Sequence, residues 1–266
     1  MENIEQRSPE WFDARRGKIT ASAVGAILGY APYQKRSDVL KRMVREYHGL
    51  KDTFEGNVAT EYGNFHENGA IIEFEMETGL KVDEAVFAEH PTDKRFGASP
   101  DGVVSDDSLL EIKCPYGLKD SGEFKSISEQ LHYYAQVQFQ MFCTGYKKVH
   151  FYQWSPNGTR HELIKYHKKF ILMMLPKLNA FWEEYLVERE FPNANKYLDA
   201  ELSKNAESFL RYKIHLYLEN KALIDSIQAK QKELIEEMQK CTNGRNAEVG
   251  EHKFIRVERK GSISYA

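Results

Sequence analysis

Apolar residues recur along this chain in two rhythms, and the switch between them divides it into helices and strands. The 3.6-residue rhythm comes first. It predicts a short helix over 11–15 and, after Gly17 and the segment Ile19-Thr20-Ala21-Ser22, a second over 23–28, with the Thr20 and Ser22 hydroxyls suited to cap it. Helices follow over 36–47 and about 59–78. The period then falls to two. Segments 85–89, 96–105 and 109–114 read as strands separated by the turn residues Pro91-Thr92-Asp93 and Asp106-Asp107-Ser108, which predicts a three-strand antiparallel meander. A helix returns over 128–144, with Leu131, Tyr134, Ala135, Gln138, Met141 and Phe142 on one face. Segments 149–154 and 161–166 flank Pro156-Asn157-Gly158 as a hairpin, and a helix from about 170 to 190 stops at Phe191-Pro192-Asn193.

Past residue 195 the pattern changes again. A long helix is expected from 202 to roughly 240, with Leu216, Leu223, Ile227, Leu234 and Met238 forming a coiled-coil-like seam that Asn220 and Gln231 interrupt. Segments 253–257 and 263–265 around Lys260-Gly261 suggest a small terminal hairpin. The expected organisation is a core of residues 1–195 and a helical extension of residues 196–266, whose role no motif assigns.

Composition narrows the function classes. With 266 residues, 41% of them hydrophobic, the chain can bury a full core, and Gly 17 with Pro 8 leaves little room for long disordered tracts. Lys plus Arg number 37 against 40 Asp plus Glu, a net charge of −3, which argues against a protein that coats nucleic acid but not against an enzyme that holds it in a local channel. Cys114, Cys143 and Cys241 are too few and too scattered for a disulfide framework, a zinc site or an iron-sulfur cluster. Residues 1–10 are polar with no apolar export signal, and no window of about eighteen apolar residues occurs, so a reducing cytoplasm with no membrane partner is expected.

The most informative stretch is Gly97-Ala98-Ser99-Pro100-Asp101-Gly102 followed by Glu111-Ile112-Lys113. Glu111 and Lys113 are two apart on one strand and share a face, while Ile112 points into the opposite layer. Asp101, near the bend of the preceding strand, can come alongside them across the ladder. Two adjacent carboxylates repel, and a cation between their oxygens removes that cost. Hard oxygen donors with room for water suit Mg²⁺, or Mn²⁺ in its place, better than zinc. A lysine beside the ion can orient an attacking water or neutralise charge developing on phosphorus. Glu-x-Lys alone is usually just the polar face of a strand. Here Leu109-Leu110 and Ile112 make the strand apolar on its inner side, and Ser-Pro-Asp-Gly gives the acid a defined bend.

Taken together, Ser99-Pro100-Asp101-Gly102, Glu111-Ile112-Lys113-Cys114-Pro115, Arg15-Arg16-Gly-x-Ile-Thr-Ala-Ser22, Gly63-x-x-x-Glu67 and Tyr133-x-Ala-Gln136-Val-Gln138 resemble the YqaJ-type viral recombinase family, the group that includes phage lambda exonuclease. The resemblance implies an α/β, restriction-endonuclease-like core, a central mixed sheet flanked by helices, carrying a PD-(D/E)xK nuclease site. It also implies Mg²⁺-dependent 5′ to 3′ digestion of one strand of duplex DNA. By that resemblance Asp101 and Glu111 bind metal with the Ile112 carbonyl as a further ligand, and Glu67 serves a second ion or its water. Lys113 acts on the nucleophilic water, and Gln136 faces the site. Arg15 and Ser22 match positions around the DNA 5′ phosphate. A guanidinium binds phosphate in bidentate fashion, and Thr20 or Ser22 at a helix start adds donors where the dipole favours an anion. Trp11 is expected to anchor its helix in the core. Family members resemble trimeric rings threaded by DNA, and a single-strand annealing protein is the expected partner. An endonuclease on the same fold and a non-catalytic DNA-binding ring are the alternatives.

Overall fold

The computed structural model describes residues 8–50, 56–197 and 204–255, and the chain divides into two units, 1–200 and 201–266. In the first unit, helix α1 (Pro9–Arg15) starts where proline's fixed φ and the Ser8 hydroxyl, which accepts from the Trp11 amide at 3.2 Å, both favour a first turn. Strand β1 (Ile19–Thr20) runs directly into α2 (Ala21–Ile27). Thr20 occupies the N-cap position but does not cap: its hydroxyl pairs with that of Ser22 at 3.3 Å, so the expected capping by these side chains is replaced by a bond between them. Helix α3 (Arg36–Tyr47) follows, then α4 (Val58–Thr78), capped by Asn57 on the Thr60 amide.

The strand region departs from a single meander. After β2 (Val82–Asp83) and β3 (Ala88–Glu89), the expected strand over 96–105 is two strands, β4 (Phe96–Ala98) and β5 (Gly102–Val104), which belong to different sheets. Pro100 has no amide to donate, so the ladder breaks there and the chain changes partners. Strand β4 lies between β1 and β3, while β5 joins β6 (Ser108–Lys113) in a second sheet. Glycines flank the crossing because neighbours leave no space. A Cβ on Gly97 would fall 2.2 Å from the Phe87 ring, and one on Gly102 would fall 2.3 Å from Val82 Cγ1.

The second sheet has the order β2-β5-β6-β7-β8, with β7 (Lys148–Ser155) parallel to β6 and β8 (Gly158–Lys165) antiparallel to β7. Parallel neighbours need a crossover, and α5 (Leu131–Thr144) supplies it. Helix α6 (Lys168–Glu190) and the short α7 (Ala194–Tyr197) complete the unit. The two-residue period of β6 sorts its side chains between layers. Leu110 and Ile112 pack with Ala70 and Phe74 of α4, whereas Leu109 packs with Val137 and Met141 of α5. Glu111 and Lys113 therefore share the side that α5 covers. A third apolar cluster joins α2, α3, α5 and α6 to Ile19 and Phe96, and so ties the first sheet to the crossover helix.

The second unit consists of α8 (Lys204–Cys241) and an antiparallel hairpin, β9 (Ala247–Val249) with β10 (His252–Phe254). On α8 the seam residues Leu223, Ile227, Leu234 and Met238 are exposed. The hairpin lies earlier than expected: Lys253 and Phe254 pair with Glu248 and Ala247, and residues 263–265 lie outside the described residues. Gly250, with φ +61, makes this earlier turn possible.

Helix α2 approaches α5 at Gly25, where a Cβ would meet His132 Cβ at 2.8 Å and its backbone at 3.0 Å. Gly25→Ala should therefore lower stability by about 1–3 kcal/mol through overpacking. Thermal unfolding measures this, and an unchanged midpoint would refute the tight contact.

Candidate active site

The strand break that separates β4 from β5 also creates the site. The Asp101 amide donates to the Leu110 carbonyl at 3.0 Å, and the Asp101 carboxylate Oδ2 accepts from the Ile112 amide at 2.7 Å. The side chain thus continues the β5–β6 ladder beyond its last main-chain partner. Opposite it, Glu111 is 1% exposed, and a buried carboxylate requires donors. It has three. Lys113 Nζ and Gln136 Nε2 each donate to Oε1 at 2.5 Å, and Gln140 Nε2 donates to Oε2 at 2.5 Å. Helix α5 carries both glutamines one turn apart, so it is the register of the crossover helix that delivers them together. The Lys113 ammonium also lies 5.1 Å from the Tyr133 ring centroid.

Charge in this cluster is unevenly compensated. Burial, then the adjacent Glu111 charge and in smaller part Glu67, hold the Asp101 carboxyl well above the usual carboxylate range. Burial works against the Lys113 ammonium, but Glu111 and Asp101 outweigh it, and the Lys113 pKa is raised. Two carboxyl groups therefore face one amine, which donates to Glu111.

The neighbouring wall has different chemistry. The Arg15 guanidinium donates to Ser99 Oγ at 2.9 Å and to Ser22 Oγ at 3.2 Å, and it lies 3.9 Å above the Trp11 ring. Trp11 Nε1 also donates to Ser99 Oγ, at 3.1 Å. Burial and, secondarily, Arg42 lower the Arg15 pKa to about 10, which leaves it charged at neutral pH. Helix α1 buries no residue, so Trp11 is not the core anchor expected of it; it is a plate beneath Arg15. Trp11, Arg15, Ser22, Ser99, Asp101, Glu111, Lys113 and Gln136 together line one pocket of about 160 Å³.

Of the remaining expected residues, Thr20 is buried and reaches the pocket only through its hydroxyl bond to Ser22. Glu67 lies outside the pocket lining. Helix α4 comes within ordinary contact of the Cys114 carbonyl at Gly63, where a Cβ would sit 3.9 Å from it, and Glu67 follows one turn later. From there its charge contributes to raising Asp101 and, after burial, raises the Cys114 thiol to about 12. Among the described residues no three His, Cys, Asp or Glu side chains converge closely enough to hold an ion between them. Asp101 and Glu111 do fit a hard divalent cation that keeps much of its own water: both offer oxygen, and their mutual repulsion is what such an ion relieves. Ile112 meets the site through its main chain, its side chain being buried under α4.

The sequence gives no expectation for Ser99 and Trp11 in the pocket lining, nor for Gln140, which is buried behind Glu111 and outside that lining. Ser99 had a signal in its place directly before Pro100-Asp101. Gln138, by contrast, is structural. Its amide donates to the Lys165 carbonyl at 2.8 Å and accepts from the His167 amide at 2.7 Å, which joins β8 to α6.

Known proteins resemble this chain in sequence and in fold. The family model for the YqaJ-like viral recombinase domain matches residues 10–147. An uncharacterized protein of Acanthamoeba polyphaga mimivirus is 28% identical over 163 residues, covering 56% of this chain and 29% of the viral protein, so the chain spans under a third of that relative. The alkaline exonuclease LHK-Exo of Laribacter hongkongensis superimposes with a TM-score of 0.58 and 31% identity, over 69% of this chain and 95% of its own. A phage-related exonuclease from Haemophilus somnus shares the fold at a TM-score of 0.50 and 16% identity, over 63% of this chain and 93% of its own. The mixed sheet with α4 and α5 on opposite faces is thus the restriction-endonuclease-like α/β core. The chain belongs to the YqaJ-like viral recombinase domain family.

Proposed function

We propose that this protein is a metal-dependent phosphodiester hydrolase that digests one strand of linear double-stranded DNA from the 5′ end. The products would be 3′ single-stranded tails for phage-type recombination by strand annealing. One observation carries the reading: the acid-lysine cluster and the Arg15-Ser22-Ser99 cluster line the same pocket, so a bond can be cut beside the place where a terminal phosphate is held. Family membership and the likeness to an alkaline exonuclease support it.

Asp101 and Glu111 would hold Mg²⁺, or Mn²⁺ in its place, with the Ile112 carbonyl adding a ligand and Glu67 serving a second ion or its water. Bound there, the cation would polarise the scissile phosphodiester and offset negative charge as it develops. Lys113, which donates to Glu111 and lines the pocket, would orient the attacking water and stabilise charge on the phosphoryl oxygens. Gln136 spans Glu111 and the open pocket, where its amide can position a phosphate oxygen. Water attacks phosphorus and gives up a proton to solvent, the bond to the 3′ oxygen of the leaving nucleotide breaks and that oxygen takes up a proton from solvent, and the shortened strand carries a new 5′ phosphate. Arg15, Ser22 and Ser99, with Thr20 behind Ser22, would bind that phosphate, and this gives digestion its direction. A trimeric ring around DNA, an annealing-protein partner and action in the cytoplasm of a bacterial host complete the proposal. The near-neutral charge suits a channel whose positive potential is only local.

Asp101→Ala and Lys113→Ala should each slow Mg²⁺-dependent digestion of end-labelled linear duplex by on the order of 10³-fold, while covalently closed DNA stays intact with the wild type. Activity unaffected by both substitutions would overturn the assignment, and cutting of closed circles would favour an endonuclease.

Arg15→Ala should slow digestion of 5′-phosphorylated ends by about 10- to 100-fold, the weight of a charged hydrogen-bond pair, and leave metal affinity nearly intact. Equal wild-type rates on phosphorylated and hydroxyl ends would rule out the phosphate pocket.

The raised Asp101 pKa sets a sign for pH dependence. An acid that holds its proton more tightly folded than unfolded loses stability as pH rises from the unfolded to the folded pKa. Cation binding needs the ionised form, so Mg²⁺ should raise the unfolding temperature more as pH increases, and Asp101→Asn should abolish this trend. Thermal unfolding in chelator and in Mg²⁺ across that range tests it; a shift by Mg²⁺ that is independent of pH would contradict it.

A further inference from the structure

The pocket accounts for Lys113 and Gln136 but not for Gln140. This residue is 0% exposed and does not line the pocket, yet its amide nitrogen lies 2.5 Å from Glu111 Oε2. Its other amide atom, Oε1, is buried without a hydrogen-bond partner, and a buried polar atom left unsatisfied is costly. An apolar side chain would fill the same space without that cost. Turning the amide over does not help, because Oε1 would then face Glu111 Oε2 with no proton between the two oxygens. The orientation is thus chemically forced, and the glutamine gives up one hydrogen bond to make the other.

The two oxygens of Glu111 face opposite ways. Oε1 accepts from Lys113 and Gln136, both of which line the pocket; Oε2 accepts from Gln140, which does not. We infer that Gln140 is a positioning residue: its bond to Oε2 from the closed side fixes the rotation of the Glu111 carboxylate and presents Oε1 to the pocket as the oxygen that takes the divalent cation. This rests on the proposed role of Glu111 as a metal-holding carboxylate. Without Gln140 the carboxylate turns about its terminal bond, a broad and weakly restricted torsion, and the cation meets a ligand that must first be ordered.

The test compares wild type with Gln140→Met and Gln140→Leu, two apolar replacements of which either one that folds suffices. Mn²⁺ alone is titrated by calorimetry into metal-stripped full-length protein, and digestion of linear duplex is followed against Mg²⁺ concentration. Loss of the bond should weaken Mn²⁺ binding about tenfold and raise the Mg²⁺ needed for half-maximal rate by a similar factor. The rate at saturating Mg²⁺ and the KM for DNA should stay within about twofold. A purely structural loss would instead reduce the fraction of competent protein, lowering the binding stoichiometry and the maximal rate with the dissociation constant unchanged, and that result overturns the inference. Wild type that binds Mn²⁺ but cuts no DNA sinks the nuclease reading alone, with Gln140 still judged by the calorimetry. Wild type that binds no divalent cation sinks both.

Discussion

A carboxylate almost sealed from water, Glu111, is the constraint around which the first unit is arranged. Burying a charge is tolerable only if donors surround it, and its donors come from its own strand and from α5. Helix α5 can supply two of them because it is the crossover between the parallel strands β6 and β7. Its register is held on one side by Val137 and Met141 against the sheet and on the other by the Gly25 contact with α2. The first turn of helix α2 carries the Ser22 that meets Arg15. The two walls of the pocket are thus linked through one helix, and packing far from the chemistry decides whether they share a pocket.

Much of this was legible in the chain before folding. The two-residue period of Leu109 to Lys113 separated Glu111 and Lys113 from Ile112, and the layers of the structure keep that division. The residues that line the pocket include Arg15, Ser22, Asp101, Glu111, Lys113 and Gln136, each singled out by motif and chemistry. What was not legible has physical causes. The alternation of apolar residues runs through Ser99-Pro100-Asp101 without changing, so periodicity cannot see that the strand changes sheets there. Strands β1 and β2 are two residues long, too short to leave any period. Trp11 has the composition of a core residue, and only the third dimension shows that its helix lies against the pocket. The importance of Gln140 depends on burial that the crossover creates.

The second unit stands apart in kind. Its long helix keeps apolar side chains in water, and none of the pocket residues comes from it. The fold and the site belong to the stretch that the family match covers, residues 10–147, together with the strands and helices that follow it to residue 197.

Ser99 and Asp101, one at the guanidinium and the other on the strand ladder, are separated by a single proline. Two residues of chain reach at most about 7 Å, and the proline ring removes most of the freedom that would let that span vary. On the proposed reading the grip on the strand's end and the blade that cuts it are therefore fixed points on one short rigid ruler. The spacing between the two walls of the pocket is thus written into two peptide bonds of the chain.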